Sequence, residues 1–307
     1  MQEIFAHVKW FENDMFVEHQ PRLEFGEWLI AGLILFIGLA VLRLIGKWLS
    51  ANKFDKKLDA RFKPIRNYVP TVVRLSTAGF LLVNFINGYL LAPNVTADHS
   101  YIAGLIGYLF LTSAIILILG LYTDLAAYLL ATGWLLVFFK TSPVDVLEHF
   151  EYIAIAGYLL FRGPGRYSLD RYLKIPGKYS LNKKLRYASL NFYRVGIGIG
   201  LVVLAFSEKL ANLTLAQGFL DEHHWNLLAQ AGATDRNFIL IAGTIELILG
   251  LALILNFASR LVVLVILGTM ILTAAVLGVN EVYGHLFAVG LVVAILVNDK
   301  QPNITSS

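Results

Sequence analysis

Apolar blocks close to 20 residues long recur along the chain, and they constrain its fold more than any other feature. A block of that length, wound as an α-helix, crosses the roughly 30 Å hydrocarbon core of a bilayer. Hydrophobic residues fill 57% of the 307 positions and charged residues only 15%, with a mean hydropathy of +0.67. A soluble domain carries about 25% charged residues. The sequence therefore predicts an all-α polytopic membrane protein that contacts a lipid bilayer.

The blocks and the loops between them predict about nine transmembrane helices. Two clusters of Lys and Arg, at 47–66 and 162–186, each follow an odd number of predicted spans. The positive-inside rule places such clusters in the cytoplasm, so the N-terminus is expected outside and the C-terminus inside. The predicted spans are 28–49, 69–91, 102–121, 125–139, 150–161, 191–206, 238–257, 261–277 and 286–297.

Polar landmarks return at a fixed interval and indicate an internal repeat. Asp145 and His149 recur 136 positions later as Glu281 and His285, each pair with the acid four residues before the histidine. Each copy holds four spans, an even number, so both copies have the same orientation and the repeat is parallel. Four segments follow: an N-terminal amphipathic segment with an extra span and a basic loop (1–66), a first four-helix repeat (67–175), a basic linker (176–186) and a second four-helix repeat (187–307).

Glu246 is the acid placed deepest in a predicted span. It lies about eight residues into its helix, hence about 12 Å below the membrane surface. A carboxylate at that depth is costly unless it is neutral, paired or facing a polar cavity. A proton carrier or ligand contact is one interpretation, and a protonated acid hydrogen-bonded to a neighbouring helix is the other. Phe110 stands at the corresponding place in the first copy.

The two acid–histidine pairs are the other candidates for chemistry. Residues four apart share a helix face, so Asp145 is expected to reach His149, and Glu281 to reach His285. A carboxylate orients an imidazole and raises its basicity, which suits proton exchange with a quinone carbonyl. The same acids could instead cap helix ends. The short apolar runs at 150–161 and 286–297 predict helices packed among neighbours.

Two arginines, Arg74 and Arg194, lie just inside the predicted cytoplasmic ends of their helices. Snorkelling to lipid phosphate is the expected role, and pairing with an acid is the alternative. Arg194 is also a candidate cofactor contact, together with His149 and Asp145.

Several kinds of chemistry are excluded or weakly supported. The chain has no cysteine, which excludes disulfides, cysteine-ligated clusters and covalent c-type haem attachment. His223 and His224 are adjacent and point in different directions, so no metal site is predicted. The pI of about 9.1 follows from the basic loops and does not indicate nucleic-acid binding.

Three short motifs resemble the DoxX family of four-helix membrane proteins. They are FRGPGRYSLDRYL after a helix of the first copy, and FSEKLANLTLAQGF and IELILGLALIL in the second. The first copy lacks the acid at Phe110, the second lacks the Gly-Pro-Gly-Arg turn, and an extra span precedes both. The resemblance implies a prokaryotic inner-membrane protein. It also implies a link to quinone-coupled oxidation, as in relatives of the thiosulfate:quinone oxidoreductase small subunit, with a soluble or membrane oxidoreductase partner.

Three functions remain open on the sequence. The first is a membrane subunit of a quinone-linked oxidoreductase, with Glu246, Glu281 and His285 beside the quinone. The second is a proton-coupled small-molecule transporter, and the third is a structural or assembly protein without its own site. The site is expected in the outer half of the second copy, under the loop 207–237, with His149 much less important.

Overall fold

A computed structural model describes residues 23–175, 183–277 and 284–298. The predicted amphipathic segment before residue 23, most of the linker and Glu281 lie outside the described residues. The described part is helical, and α9 continues into a π-helix at Ala205–Leu210. The helices are α1 (Phe25–Ala51), α2 (Lys53–Phe62), α3 (Val69–Ile86), α4 (Tyr101–Leu119), α5 (Thr123–Val137), α6 (Pro143–Glu148), α7 (Glu151–Arg162), α8 (Leu169–Tyr172), α9 (Lys183–Leu204), α10 (Leu213–His223), α11 (Asp235–Leu255), α12 (Ser259–Leu277) and α13 (Leu286–Asn298).

Five of the described helices are long and apolar enough to cross a membrane. This confirms the all-helical membrane class, whereas the total of nine spans stays a prediction. Three further apolar helices are shorter, at Thr123–Val137, Ser259–Ala275 and Leu286–Val297. The five long ones are Phe25–Ala51, Val69–Ile86, Tyr101–Leu119, Ala188–Leu210 and Asp235–Leu255.

The helices after α1 and α2 form two closed rings of four. In the first ring, each of α3, α4, α5 and α7 packs on the next, and α7 returns to α3. In the second, α9, α11, α12 and α13 follow the same cycle. The rings join reciprocally, because the last helix of each packs on the first helix of the other: α7 on α9, and α13 on α3.

The turns within the two rings share one backbone conformation. The α4–α5 turn has positive φ at Gly120 and Tyr122, and the α11–α12 turn has it at Asn256 and Ala258. Each matching pair is 136 positions apart, the interval found in the sequence. The left-handed residue ends the helix in both turns. The two-copy interpretation itself stays a prediction.

Glycines of α9 allow the rings to approach closely. A Cβ at Gly196 would lie 2.4 Å from the Cβ of Ala154 in α7. On another face, a Cβ at Gly198 would lie 2.7 Å from the carbonyl oxygen of Gly250 in α11. Small residues spaced in this way are typical of tightly packed membrane helices. The helix α9 is therefore held between its own ring and the other ring.

Arg74 and Arg194 are both buried within the protein. Arg74 is 2% exposed and donates hydrogen bonds to the carbonyls of Pro164, at 2.9 Å, and Tyr167. Arg194 donates to Asn191 Oδ1 at 3.2 Å and to Ser259 Oγ at 3.4 Å. The snorkelling prediction is therefore wrong. Arg74 instead holds the Gly-Pro-Gly-Arg turn against α3.

The extra helix α1 lies on the outside of the second ring. It packs along α11, where a Cβ at Gly38 would lie 2.6 Å from the side chain of Ile248. An ion pair between Glu27 and Arg236 joins their first turns, with Oε2 and Nη2 2.7 Å apart. Only 6% of the residues in its most apolar stretch are buried within the protein. The rest of α1 presents apolar side chains outward, as a lipid-facing helix does.

Candidate functional site

A cavity of about 510 Å³ opens inside the second ring, and we call it the chamber. Its walls come largely from α9, α11, α12 and α13, and Phe219 of α10 and Trp225 also line it. The lining is largely apolar, but six residues that can carry charge also border it. These are Glu148, His149, Glu151, Lys209, Glu246 and His285. An apolar chamber with a few convergent polar groups is the usual form of a small-molecule site.

His149 lies where the chain changes from α6 to α7. It follows the last residue of α6 and has non-helical torsions, φ −99° and ψ 39°. Its Nδ1 is 3.0 Å from Oε1 of Glu151, the first residue of α7, and both side chains are buried. Gly200 allows α9 to lie close to the break between α6 and α7, because a Cβ at Gly200 would lie 3.1 Å from the carbonyl oxygen of Glu148.

The acid on Nδ1 of His149 differs from the predicted one. The sequence predicts Asp145, but α6 ends before His149, so the two residues do not share a continuous helix face. Asp145 Oδ2 instead accepts hydrogen bonds from Thr141 Oγ1 at 2.9 Å and Ser142 Oγ at 2.7 Å. Asp145 lies in the first turn of α6, which agrees with the capping alternative.

Glu246 is held in an ion pair with Lys209. The Nζ of Lys209 is 2.9 Å from Glu246 Oε2 and 3.7 Å from Glu208 Oε2. Lys209 and Glu208 both lie in the π-helix that ends α9. The structure therefore gives Glu246 a charged partner, one of the three conditions under which a deep carboxylate is tolerated. π-Helical turns are often found at functional sites.

Four acidic and three basic residues lie at or beside the chamber. Glu148, Glu151 and Glu246 line it together with His149, His285 and Lys209, and Glu208 Oε2 lies 3.7 Å from the Nζ of Lys209. An apolar surrounding strongly disfavours uncompensated charge. The cluster therefore favours arrangements in which carboxyl groups and imidazoles share protons. Such a cluster can take up or release a proton when a ligand arrives.

The predicted site residues are only partly brought together. Glu246, His285 and His149 all border the chamber, and His285 stacks on Phe287 with ring centroids 6.5 Å apart. Arg194 and Asp145 are not among the residues that line it. The sequence favours the second copy and gives His149 a minor part, but His149 and its neighbouring acids Glu148 and Glu151 border the chamber from the first ring. No group of residues suited to hold a metal ion is found in the described ranges.

The sequence did not predict Lys209 or three acids, Glu148, Glu151 and Glu208, as site residues. Glu208 and Lys209 follow the predicted span 191–206 and were placed in an outer loop. In the structure α9 continues through Leu210, which carries both side chains into the bundle. The signal available was FSEKL itself, an acid and a base directly after an apolar run. The rest of 207–237 includes α10, and Phe219 and Trp225 of this region line the chamber.

Residues without aromatic rings line the chamber at three positions where the 136-residue interval places aromatic residues in the first ring. Counted from the left-handed residues Gly120 and Asn256, Phe110 and Glu246 occupy the same position. By the same 136-residue interval, Trp134 corresponds to Met270 and Tyr152 to Ala288. The three aromatics are buried in the first ring, where Phe110 and Tyr152 lie 5.1 Å apart. Their counterparts all line the chamber.

Comparisons with protein-family models, with characterised proteins and with solved structures find no match. The resemblance to the DoxX family therefore stays a prediction that rests on three short motifs.

Proposed function

We propose that the chamber binds a quinone and exchanges protons with its headgroup, so that the chain serves as a membrane subunit of a quinone-linked redox system. The observation that carries the proposal is the apolar chamber bordered by two acid–base pairs, the buried pair His149–Glu151 and the partly buried pair Lys209–Glu246. A quinone headgroup is flat and largely apolar and carries two carbonyl oxygens. The chamber offers apolar walls for the ring and donors for the oxygens.

The proton chemistry follows from the pairs. Reduction of a quinone to a quinol takes two electrons and two protons. The His149 imidazole is oriented by Glu151, and a carboxylate beside an imidazole stabilises its protonated form. Lys209 and Glu246 can supply a second donor and acceptor. The electrons would come from a partner oxidoreductase carrying a flavin or metal centre.

Quinone binding by the purified protein is the direct test. In lipid nanodiscs we expect a short-tailed quinone to bind saturably, and calorimetry measures this binding. His149→Phe and Glu246→Gln should each weaken binding at least tenfold, because each removes a hydrogen-bonding or ionisable group from the chamber. Asp98→Asn is the matched control, since the Asp98–Lys140 pair does not line the chamber. Equal affinity in all variants, or no binding by the wild type, would refute the proposal.

A specific observation also favours proton-coupled transport as a second candidate. Transporters often interrupt their helices at the substrate site. Here the α6–α7 break at His149 and the π-helix of α9 both border the chamber. Proteoliposomes separate the two functions. If the protein is a proton-coupled transporter, the interior of the proteoliposomes should acidify when solute is added. A quinone-binding subunit would bind its ligand without a net flux of solute or protons.

The membrane arrangement belongs to the same proposal: nine spans in the inner membrane, with the N-terminus outside. The alternating direction of the helices is supported by the contacts of α7 with α9 and of α3 with α13, which run antiparallel along their lengths. The orientation is supported by the two basic clusters at 47–66 and 162–186. We expect Gln230→Cys to react with an impermeant maleimide on intact cells and Lys57→Cys to react only after permeabilisation. Both positions are exposed, and the chain has no other thiol. The reverse pattern would invert the topology.

A further inference from the structure

Helices α11 and α12 pack on each other much less closely than α4 and α5 do in the first ring. Ile245 and Leu272, one on each of these helices, line the chamber and are 45% and 43% exposed. Thr269 also lines the chamber and is exposed. We call the gap bordered by these three residues the lateral opening.

The corresponding wall of the first ring is closed. There α4 packs tightly on α5, and a Cβ at Gly133 would lie 2.5 Å from the ring of Phe110. Gly133 and Phe110 correspond to Thr269 and Glu246 of the second ring by the 136-residue interval. The lateral opening is therefore a difference between the rings and not a property of the ring architecture.

The exterior around the lateral opening is apolar. From Phe238 to Leu255 the only charged residue is Glu246, and from Leu261 to Leu277 there is none. Leu264 and Ile271 on α12 are also exposed. Since α11 is long and apolar enough to cross a membrane, this surface faces hydrocarbon. The lateral opening thus connects the chamber to the inside of the bilayer.

We infer that the ligand enters the chamber sideways from the bilayer, between α11 and α12, and that it is an amphiphile with a compact polar head and a long apolar tail. The head contacts the His149 and Lys209 pairs, while the tail occupies the lateral opening and extends into lipid. A chamber of about 510 Å³ holds a headgroup and the start of a tail, but not a long isoprenoid or acyl chain. The identity of the head as a quinone rests on the proposed function; the lateral route does not.

Thiol labelling in liposomes tests the route without any quinone. Ala242 lines the chamber, and the natural chain has no cysteine, so Ala242→Cys provides a single reporter thiol. We expect a bilayer-partitioning alkyl maleimide to label it at least tenfold faster than a sulfonated, water-soluble maleimide, relative to their rates on an unfolded control. Leu272→Trp in this background should slow the alkyl reagent about tenfold by narrowing the lateral opening.

The adjacent residue provides the matched control. Ile271 is on the same helix, is 61% exposed and does not line the chamber, so Ile271→Trp should leave labelling unchanged. Ile245→Trp narrows the opening from α11 and replaces Leu272→Trp if that variant fails to fold. Faster labelling by the water-soluble reagent, or unchanged labelling in the Trp variants, would overturn the lateral route. A wild type that binds no quinone but shows this labelling pattern would refute only the proposed function.

Discussion

Replacing Lys209 with methionine is expected to lower the free energy of unfolding by about 3 kcal/mol, because it leaves Glu246 and Glu208 without their shared ammonium group. Removing one partner of a buried pair typically costs about 3–5 kcal/mol, and partial exposure of both Lys209 and Glu246 places this pair at the lower end. The change in the free energy of unfolding is measured by denaturing both proteins in mixed micelles and monitoring their helix content by circular dichroism.

A second substitution distinguishes the ion pair from simple loss of packing. Lys209→Met combined with Glu246→Leu removes both charges, so the double variant should be more stable than Lys209→Met alone. Lys140→Met is the control, since it breaks an ion pair with Asp98, whose side chain is largely exposed to solvent. Its effect should be far smaller. A double variant no more stable than the single one would show that Glu246 is not the group that Lys209 compensates.

Filling the chamber with the residues of the first ring should abolish ligand binding while the fold is kept. Met270→Trp and Ala288→Tyr place in the second ring the side chains that Trp134 and Tyr152 place in the first. Their volume occupies the space where the headgroup would lie, so affinity for a short-tailed quinone should fall at least 100-fold. Calorimetry in nanodiscs measures the affinity, and thermal unfolding verifies the fold.

The exposed neighbour again serves as the comparison for Met270→Trp. Ile271→Trp adds the same indole on the outside of α12 and should bind the ligand normally. Overpacking commonly costs about 1–3 kcal/mol, so each filling substitution is also tested singly. Full binding by a folded Met270→Trp, Ala288→Tyr protein would place the ligand elsewhere.

Hydropathy predicted most helices, and the errors at their ends have local causes. The predicted span 69–91 stops at Ile86, because Asn87 caps the helix and Gly88 turns the chain with φ +73°. The span 191–206 is too short, since α9 begins at Lys183 and continues as a π-helix to Leu210. Apolar runs locate the middle of a membrane helix, whereas capping residues and buried charges determine its ends.

The site was harder to predict because charges near helix ends are ambiguous in sequence. Glu246 stood out because it interrupts a long apolar run. Glu151 and Lys209 lie at the ends of such runs, where charged residues normally face water or headgroups. What turns them inward is tertiary: the close approach of the α6–α7 break to Gly200, and the continuation of α9 past the apolar run. The local sequence gives only the FSEKL signal for the second of these and none for the first.

The reciprocal packing of α7 on α9 and of α13 on α3 has a consequence for how such a protein can diversify. In the predicted two-copy arrangement, the two contacts are equivalent halves of one self-complementary interface, the kind that joins identical subunits about a twofold axis. In a homodimer of one-ring chains every substitution would occur twice, so both rings would be hollow or both filled. A single gene that encodes both rings removes that restriction. One ring can then keep its aromatic core and act as a scaffold. The other can lose its aromatic side chains and bind a ligand in the space that they would fill.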